Sequence, residues 1–304
     1  TLTADLKQAT ISGDGVAIEA GGIDLSPWTA GGLTLSSELS ELTVTTSTGE
    51  PRIRTVGSAT ISGRLFGQDF APTTVFGGVD ALIADSLRVQ SFSTRCIGID
   101  SGGFSAPESL RVGAFIAELC PSDGRLVRRA GGALTGQLSI DELSIPFESN
   151  DTSGTLSFRD ALIDWRAASS ASVSLTGEQM SASLKIGENT LEISAADPEL
   201  GFRTNAPLEL SARTGSSELS GTLIPAIIDL DALVFDATLP ESGLSGSATA
   251  RNVVVRDDRP DPFYQPLRGD LSATFGNGLM QLSGPVHTYR ADRTVADINM
   301  TLDL

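Results

Sequence analysis

The 304-residue chain sets 21 Lys and Arg against 38 Asp and Glu, a formal net charge of −17, and is 40% hydrophobic but only 5% aromatic. That charge argues against nucleic-acid binding, since little is left to neutralise phosphates, and Arg128-Arg129 is too small a basic run to hold anionic headgroups. The hydrophobic share is too high for a disordered chain, yet no stretch reaches the 18 apolar residues of a membrane span. With 32 glycines and abundant Ser and Thr, the composition suits short strands and turns.

The first third, residues 1–130, is the less regular part. Residues 59–66 and 87–99 read as strands. Residues 78–85 (Gly-Val-Asp-Ala-Leu-Ile-Ala-Asp) are expected to form one short helical turn, ended by Asp85 and Ser86. Cys96 and Cys120 are the two cysteines, each beside strand-like sequence. They are too far apart for a redox Cys-x-x-Cys pair, and a metal site would want more ligands than the distant His287 supplies. The residues leave two readings open, a structural disulfide or two buried thiols. A disulfide would place the chain in an oxidising compartment and turn Gly102-Gly103-Phe104 and Pro107 into a loop or short hairpin.

From residue 131 to 304 the chain becomes regular. A phrase recurs: Leu134-Thr135-Gly136-Gln137-Leu138, Ser153-Gly154-Thr155-Leu156, Leu175-Thr176-Gly177, Leu219-Ser220-Gly221-Thr222-Leu223, Leu244-Ser245-Gly246 and Leu267-Arg268-Gly269-Asp270-Leu271, with a weaker echo at Leu200-Gly201-Phe202. From Gly154 onward its glycines sit about 20 to 25 residues apart, the period of stacked repeats. Strict alternation accompanies it. Met180, Ala182, Leu184 and Ile186 fall on one face and Ser181, Ser183 and Lys185 on the other, the period of a half-buried strand. Turn signals such as Gly187-Glu188-Asn189 and Gly276-Asn277-Gly278 space these runs as hairpins. Residues 256–267, with three prolines, break the pattern as an ordered loop in which Phe263 and Tyr264 have something to pack against.

The fold expected is therefore all-β with little or no helix: one continuous, elongated, repetitive antiparallel sheet over 1–304. No amphipathic helix exists to cover the apolar face. Either the sheet closes on itself over a dry core, or it curls into an open groove. Leu156, Phe158, Leu184, Ile186, Leu210, Leu223, Phe235 and Phe275 are the residues expected to line that surface. The lining is light in large side chains, which suits acyl chains. No catalytic constellation emerges, so no enzyme, cofactor or metal is expected. His287 reads as a turn histidine, and the Asp229/Asp231 and Asp257/Asp258/Asp261 clusters lack the ligand count of a Ca²⁺ loop.

Two blocks carry a resemblance. Ser86-Leu87-Arg88-Val89-Gln90-Ser91 with Cys96 and Ala117-Glu118-Leu119-Cys120-Pro121, and Pro262-Phe263-Tyr264-Gln265-Pro266-Leu267-Arg268-Gly269-Asp270-Leu271 with Val295-Ala296-Asp297-Ile298, resemble YdbH-like proteins of the AsmA-like superfamily, relatives of TamB. The resemblance implies a curled β-groove ("β-taco") that conducts phospholipids across the periplasm of a Gram-negative bacterium. It also implies an inner-membrane anchor and an outer-membrane end supplied by parts beyond this segment, since both ends of the chain read as cuts from a longer polypeptide. The alternative expectation is a non-enzymatic structural or adhesive β-repeat with a closed core, in a secreted or surface protein.

Overall fold

The structure is a computed structural model and describes residues 2–12, 15–30, 32–46, 51–65, 68–83, 89–105, 111–149, 152–204, 207–239, 244–290 and 293–303. Among these residues there are twenty-four strands and no helix, and every described pairing is antiparallel. The all-β antiparallel fold expected from the alternation is the fold observed. The chain divides into two compact units, Thr1–Asn150 with Arg166–Ala168, and Asp151–Trp165 with Ser169–Leu304.

The first unit opens with five long strands: β1 (Leu2–Ser12), β2 (Gly15–Ala30), β3 (Leu33–Thr46), β4 (Arg52–Leu65) and β5 (Gln68–Ile83). Then come β6 (Val89–Ser101), the short β7 (Phe104–Ser105), β8 (Arg111–Val112), β9 (Phe115–Pro121) and β10 (Val127–Ala130), and the long β11 (Ala133–Ser149). The helical turn expected at 78–85 is not formed. Gly78 to Ile83 continue β5, because Val79 and Ala81 alternate into register with Thr55 and Ile53 of β4, and ladder hydrogen bonds outweigh a single isolated turn. Ala84 to Arg88, and with them Ser86 and Asp85, lie outside the described residues, as does Pro107.

One row crosses five strands: Leu39, Gly57, Gly77, Ile97 and Leu119 are successive cross-strand partners. Beside it the registers slip, at Leu39/Glu41 and at Gly77/Val79, so extra residues are inserted along one line. Gly57 is there for lack of room, since a Cβ on it would lie 2.2 Å from the Glu38 carbonyl oxygen. The disulfide is the next step of the same ladder. Cys96 and Cys120 continue the register of Ile97 and Leu119, with Cα atoms 4.0 Å apart, and close the excursion that contains the paired strands β7 and β8.

The second unit contains β12 (Thr152–Ala167), β13 (Ala171–Thr176), β14 (Gln179–Ile186), β15 (Asn189–Ala196), β16 (Glu199–Arg203), β17 (Leu208–Thr214) and β18 (Ser217–Ser220). It ends with β19 (Ala226–Leu230), β20 (Ala232–Leu239), β21 (Ser245–Asp257), β22 (Leu267–Gly276), β23 (Leu279–Thr288) and β24 (Thr294–Asp303). From β13 to β20 consecutive short strands are the two halves of one long strand, broken in the middle. The first halves pair with second halves, β13 with β16, β16 with β17 and β17 with β20, while β14, β15, β18 and β19 pair likewise. The repeat seen in the sequence is one such bent strand and its turn. Antiparallel meander, not solenoid coil, sets the period.

The breaks line up. Asp160, Glu178, Asp197, Ser216, Asp231, Asn252 and Asp270 follow one another across seven strand segments. They are joined by Glu178 N to Arg159 O (3.2 Å), Asp197 N to Glu178 O (3.1 Å), Ala196 N to Ser216 O (2.8 Å) and Asp231 N to Arg251 O (3.1 Å). The line closes where Asn252 donates to Asp231 Oδ2 (2.9 Å) and to Asp270 Oδ1 (2.7 Å). Asp160, Asp197 and Asn252 adopt φ of 49°, 47° and 48°, a region that short polar side chains tolerate best among residues other than glycine.

Two outcomes test this frame. Titration of the denatured, unreduced protein is expected to find no free thiol, and reduction to lower stability by about 3 to 4 kcal/mol, the chain-entropy value for a loop of this length. Gly57→Ala is expected to cost about 1 to 3 kcal/mol through overpacking against the β3 backbone, read as a lower urea midpoint with unchanged slope.

Candidate functional site

The registers place every apolar run of the second unit on one face. Leu156, Ala182, Ile193, Leu219, Ile228, Val255 and Leu267 form one cross-strand row on one side of the bend line. On the other side, Leu175, Leu200, Ala212, Phe235, Ala248, Ala273, Leu282 and Met300 form a second, and Val173, Phe202, Leu210, Ala237, Gly246, Phe275, Met280 and Leu302 a third. Across the breaks from β12 to β21 the apolar positions lie an odd number of residues apart, as from Ala195 to Leu200, Leu230 to Leu233 and Ala250 to Val253. In an unbroken strand that spacing would turn them to opposite faces. The inserted residue at the bend restores the phase.

These rows hold no ionisable side chain. Where polar residues intrude they satisfy each other, as Thr214 and Ser217 do through their hydroxyls at 2.9 Å. Burial follows the bend line. Phe158, Ala161, Ala195, Leu230 and Val253 beside it are buried, Phe158 being 4% exposed. Away from it the same face is half-buried, and its far ends are open at Val173, Phe202, Leu239 and Leu302. A sealed core would bury all of these positions, and a flat sheet none. The gradient describes a trough, deep at the bend and open at its rims. The chain exposes 18387 Å², whereas two separate compact units, each of half its 31.6 kDa, would together expose about 15,000 Å².

Of the eight residues expected to line this surface, seven share the face. Leu156, Phe158, Leu184 and Ile186 lie on β12 and β14 to one side of the bend. Leu210, Phe235 and Phe275 lie to the other, and the two phenylalanine rings stack at 5.4 Å between centroids over Gly246, where a Cβ would lie 2.8 Å from Phe275 Cζ. Leu223 differs. It sits in the turn after β18, 39% exposed, because Gly221 at φ 130° ends the strand two residues earlier.

In the first unit the apolar rows run through Val44, Ile53 and Ala81, and through Leu35, Ile61, Thr73, Ser101 and Phe115. There too the described rows carry no charge, and Thr73 and Ser101 pair at 3.1 Å. Ile97, Leu119, Ile140 and Leu143 are buried beside the disulfide.

The polar face has its own features. A depression of about 650 Å³ is lined chiefly by Ser174, Arg203, Ser211, Arg213 and Asp236, with Arg203 bonded to Glu209 at 3.1 Å. His287 is half-buried with Nδ1 3.3 Å from Thr294 Oγ1. Among the described residues one group of possible metal ligands comes together, Cys96, Glu118 and Cys120, and its two sulfurs are already bonded to each other.

The ordered loop expected at 256–267 is present as residues 258–266, but the carboxylate that organises it was not read from the sequence. Asp257 is in phase with the apolar face, yet its carboxylate is turned into the loop and fully covered. Its oxygens accept from Arg259 N (3.2 Å), Nε (2.7 Å) and Nη2 (2.6 Å) and from Phe263 N (2.8 Å). The Arg259 guanidinium above all, with these backbone donors, holds the Asp257 carboxyl far below the usual carboxylate range, against the cost of its desolvation. The loop order that this group supports is therefore present above the ordinary carboxylate pKa and is lost only as pH falls through the depressed one. Phe263, expected to pack, is 82% exposed, with Arg259 4.0 Å over its ring.

No protein-family profile, curated protein or solved structure matches the chain.

The burial gradient has a measurable consequence. Phe158→Ala, at the floor, is expected to cost about 3 to 5 kcal/mol, and Phe202→Ala, at the open end of the same face, less than about 2 kcal/mol. Chemical denaturation of the two variants checks it; equal costs would mean that rim and floor are one sealed core.

Proposed function

We propose that the trough of the second unit holds the acyl chains of phospholipids and that the chain is a segment of a conduit passing them between the inner and outer membranes of a Gram-negative cell. The observation that carries this reading is the uncharged, half-open apolar face running across β12 to β24. Each methylene withdrawn from water into such a face gains roughly 0.8 kcal/mol, so a lipid tail is held without any specific polar site. The disulfide suits a periplasmic location, and the Cys96/Cys120 and Pro262–Leu271 blocks suit the AsmA-like resemblance. Membrane attachment would be supplied by other parts of a longer protein. No catalytic step, metal or cofactor enters this reading.

A second reading, a structural β-repeat with a sealed core, is favoured by the buried cluster around Ile97, Leu119 and Ile140 in the first unit. One pair of variants separates them. In an open trough, Leu184→Arg and Leu210→Asp keep the fold, because a half-exposed charge stays hydrated, but phospholipid no longer co-purifies in native mass spectrometry. In a sealed core the same charges would cost several kcal/mol and the protein would unfold.

The headgroup is expected to stay in water with little selection. Arg159 and Arg203, the arginines nearest the trough in sequence, lie on the opposite polar face, bonded to Gln179 (3.2 Å) and Glu209 (3.1 Å). Lipidomics of co-purified material is expected to reproduce the composition of the source membrane, apart from a modest bias against highly charged lipids. Strong enrichment of one anionic class, lost on Arg203→Ala, would show a headgroup site instead.

A further inference from the structure

We propose that the loop of residues 258–266 is a docking element for a second protein, with Phe263 as the anchor that enters an apolar pocket rimmed by basic residues. Two observations support it, both independent of the trough. Phe263 has 82% of its surface in water. The loop is already rigid: the covered Asp257 carboxylate ties together Arg259 and the Phe263 backbone, and Pro260, Pro262 and Pro266 restrict the rest. Presenting a large side chain from a pre-ordered loop lowers the ordering cost of binding, the usual state of an interface hot spot.

Charge selects the kind of partner. Asp258 and Asp261, both exposed, precede Phe263 in the same loop, while Arg259 is neutralised by Asp257 and lies on the face of Phe263. Two carboxylates beside the anchor oppose its entry into a bilayer, where they would be carried toward the headgroups and partly dehydrated. They match a protein pocket with Lys or Arg at its rim, which also steers the encounter.

The test uses the full chain in its own cells, with benzoylphenylalanine in place of Phe263 and, as control, in place of Glu188 in the β14–β15 turn. Irradiation is expected to give one discrete protein adduct at 263 and none at 188. The adduct should fall about tenfold or more in the Asp258→Lys/Asp261→Lys variant, which leaves the Asp257 hub intact. With the captured protein purified, Phe263→Ala is expected to weaken binding about 30-fold or more. Adducts to lipid alone, to a second copy of this chain, at both positions equally, or undiminished by charge reversal would each overturn the proposal, as would no adduct at all.

Discussion

The structure depends on keeping one face apolar through a bend. A sheet of strands this long, with no helix among the described residues to cover it, buries its apolar side by folding along a line across the strands. Folding alone would fail, because a bent strand whose alternation simply continues need not present the same face on both sides of the bend. The inserted residue at Glu178, Asp197, Ser216, Asp231 and Asn252 supplies both effects at once: it kinks the strand and shifts the phase by one. Every apolar row in the second unit presupposes that insertion.

Chemistry at the two bend lines differs with what crowds them. In the second unit the inserted residues are exposed, and Asp or Asn is favoured because a short polar side chain accepts positive φ and can bond a neighbouring amide, as Asp270 does to Asn252. In the first unit the strands press closer. Gly57 approaches the Glu38 carbonyl, and the line ends in a covalent cross-link. The buried residues Ile97 and Leu119 flank that link, as Phe158, Ala195 and Val253 flank the bend of the second unit, whose face stays half-open away from it.

Much of this was legible in the sequence. Alternation such as Met180 to Ile186 fixes strand and face together, and hairpin signals such as Gly187-Glu188-Asn189 fix the connections, so the all-β class and seven of the eight lining residues follow from local pattern. The bend line was equally visible, as an odd spacing between apolar runs at Leu175/Met180, Ala195/Leu200 and Leu230/Leu233, but a reading by separate strands treats such a gap as a turn. Leu223 was misplaced in a strand because Gly221 looks like the other repeat glycines, and only its φ marks it as a terminator. Residues 78–83 were ambiguous as a short apolar run, and their strand state comes from pairing with β4 and β6, which is not local information. The exposure of Phe263 was hidden for a related reason. An aromatic between prolines reads as packing material until the direction of the Asp257 carboxylate is known.

An apolar face that its own fold leaves half-open is a standing cost in water, at about 25 cal/mol for each Å² not covered. A structural repeat would relieve that cost cheaply, by larger side chains at the half-buried positions Ala212, Ala248 and Ala273. The chain carries alanine there, beside Phe235 and Phe275, whose rings stack on each other. Width is therefore preserved where filling would stabilise. A width of this kind, uncharged along its length and open at the rims, fits a guest that is itself long, apolar and exchangeable, and it is this mismatch between what stability asks of the face and what the face contains that makes the acyl-chain reading stronger than the sealed-core one.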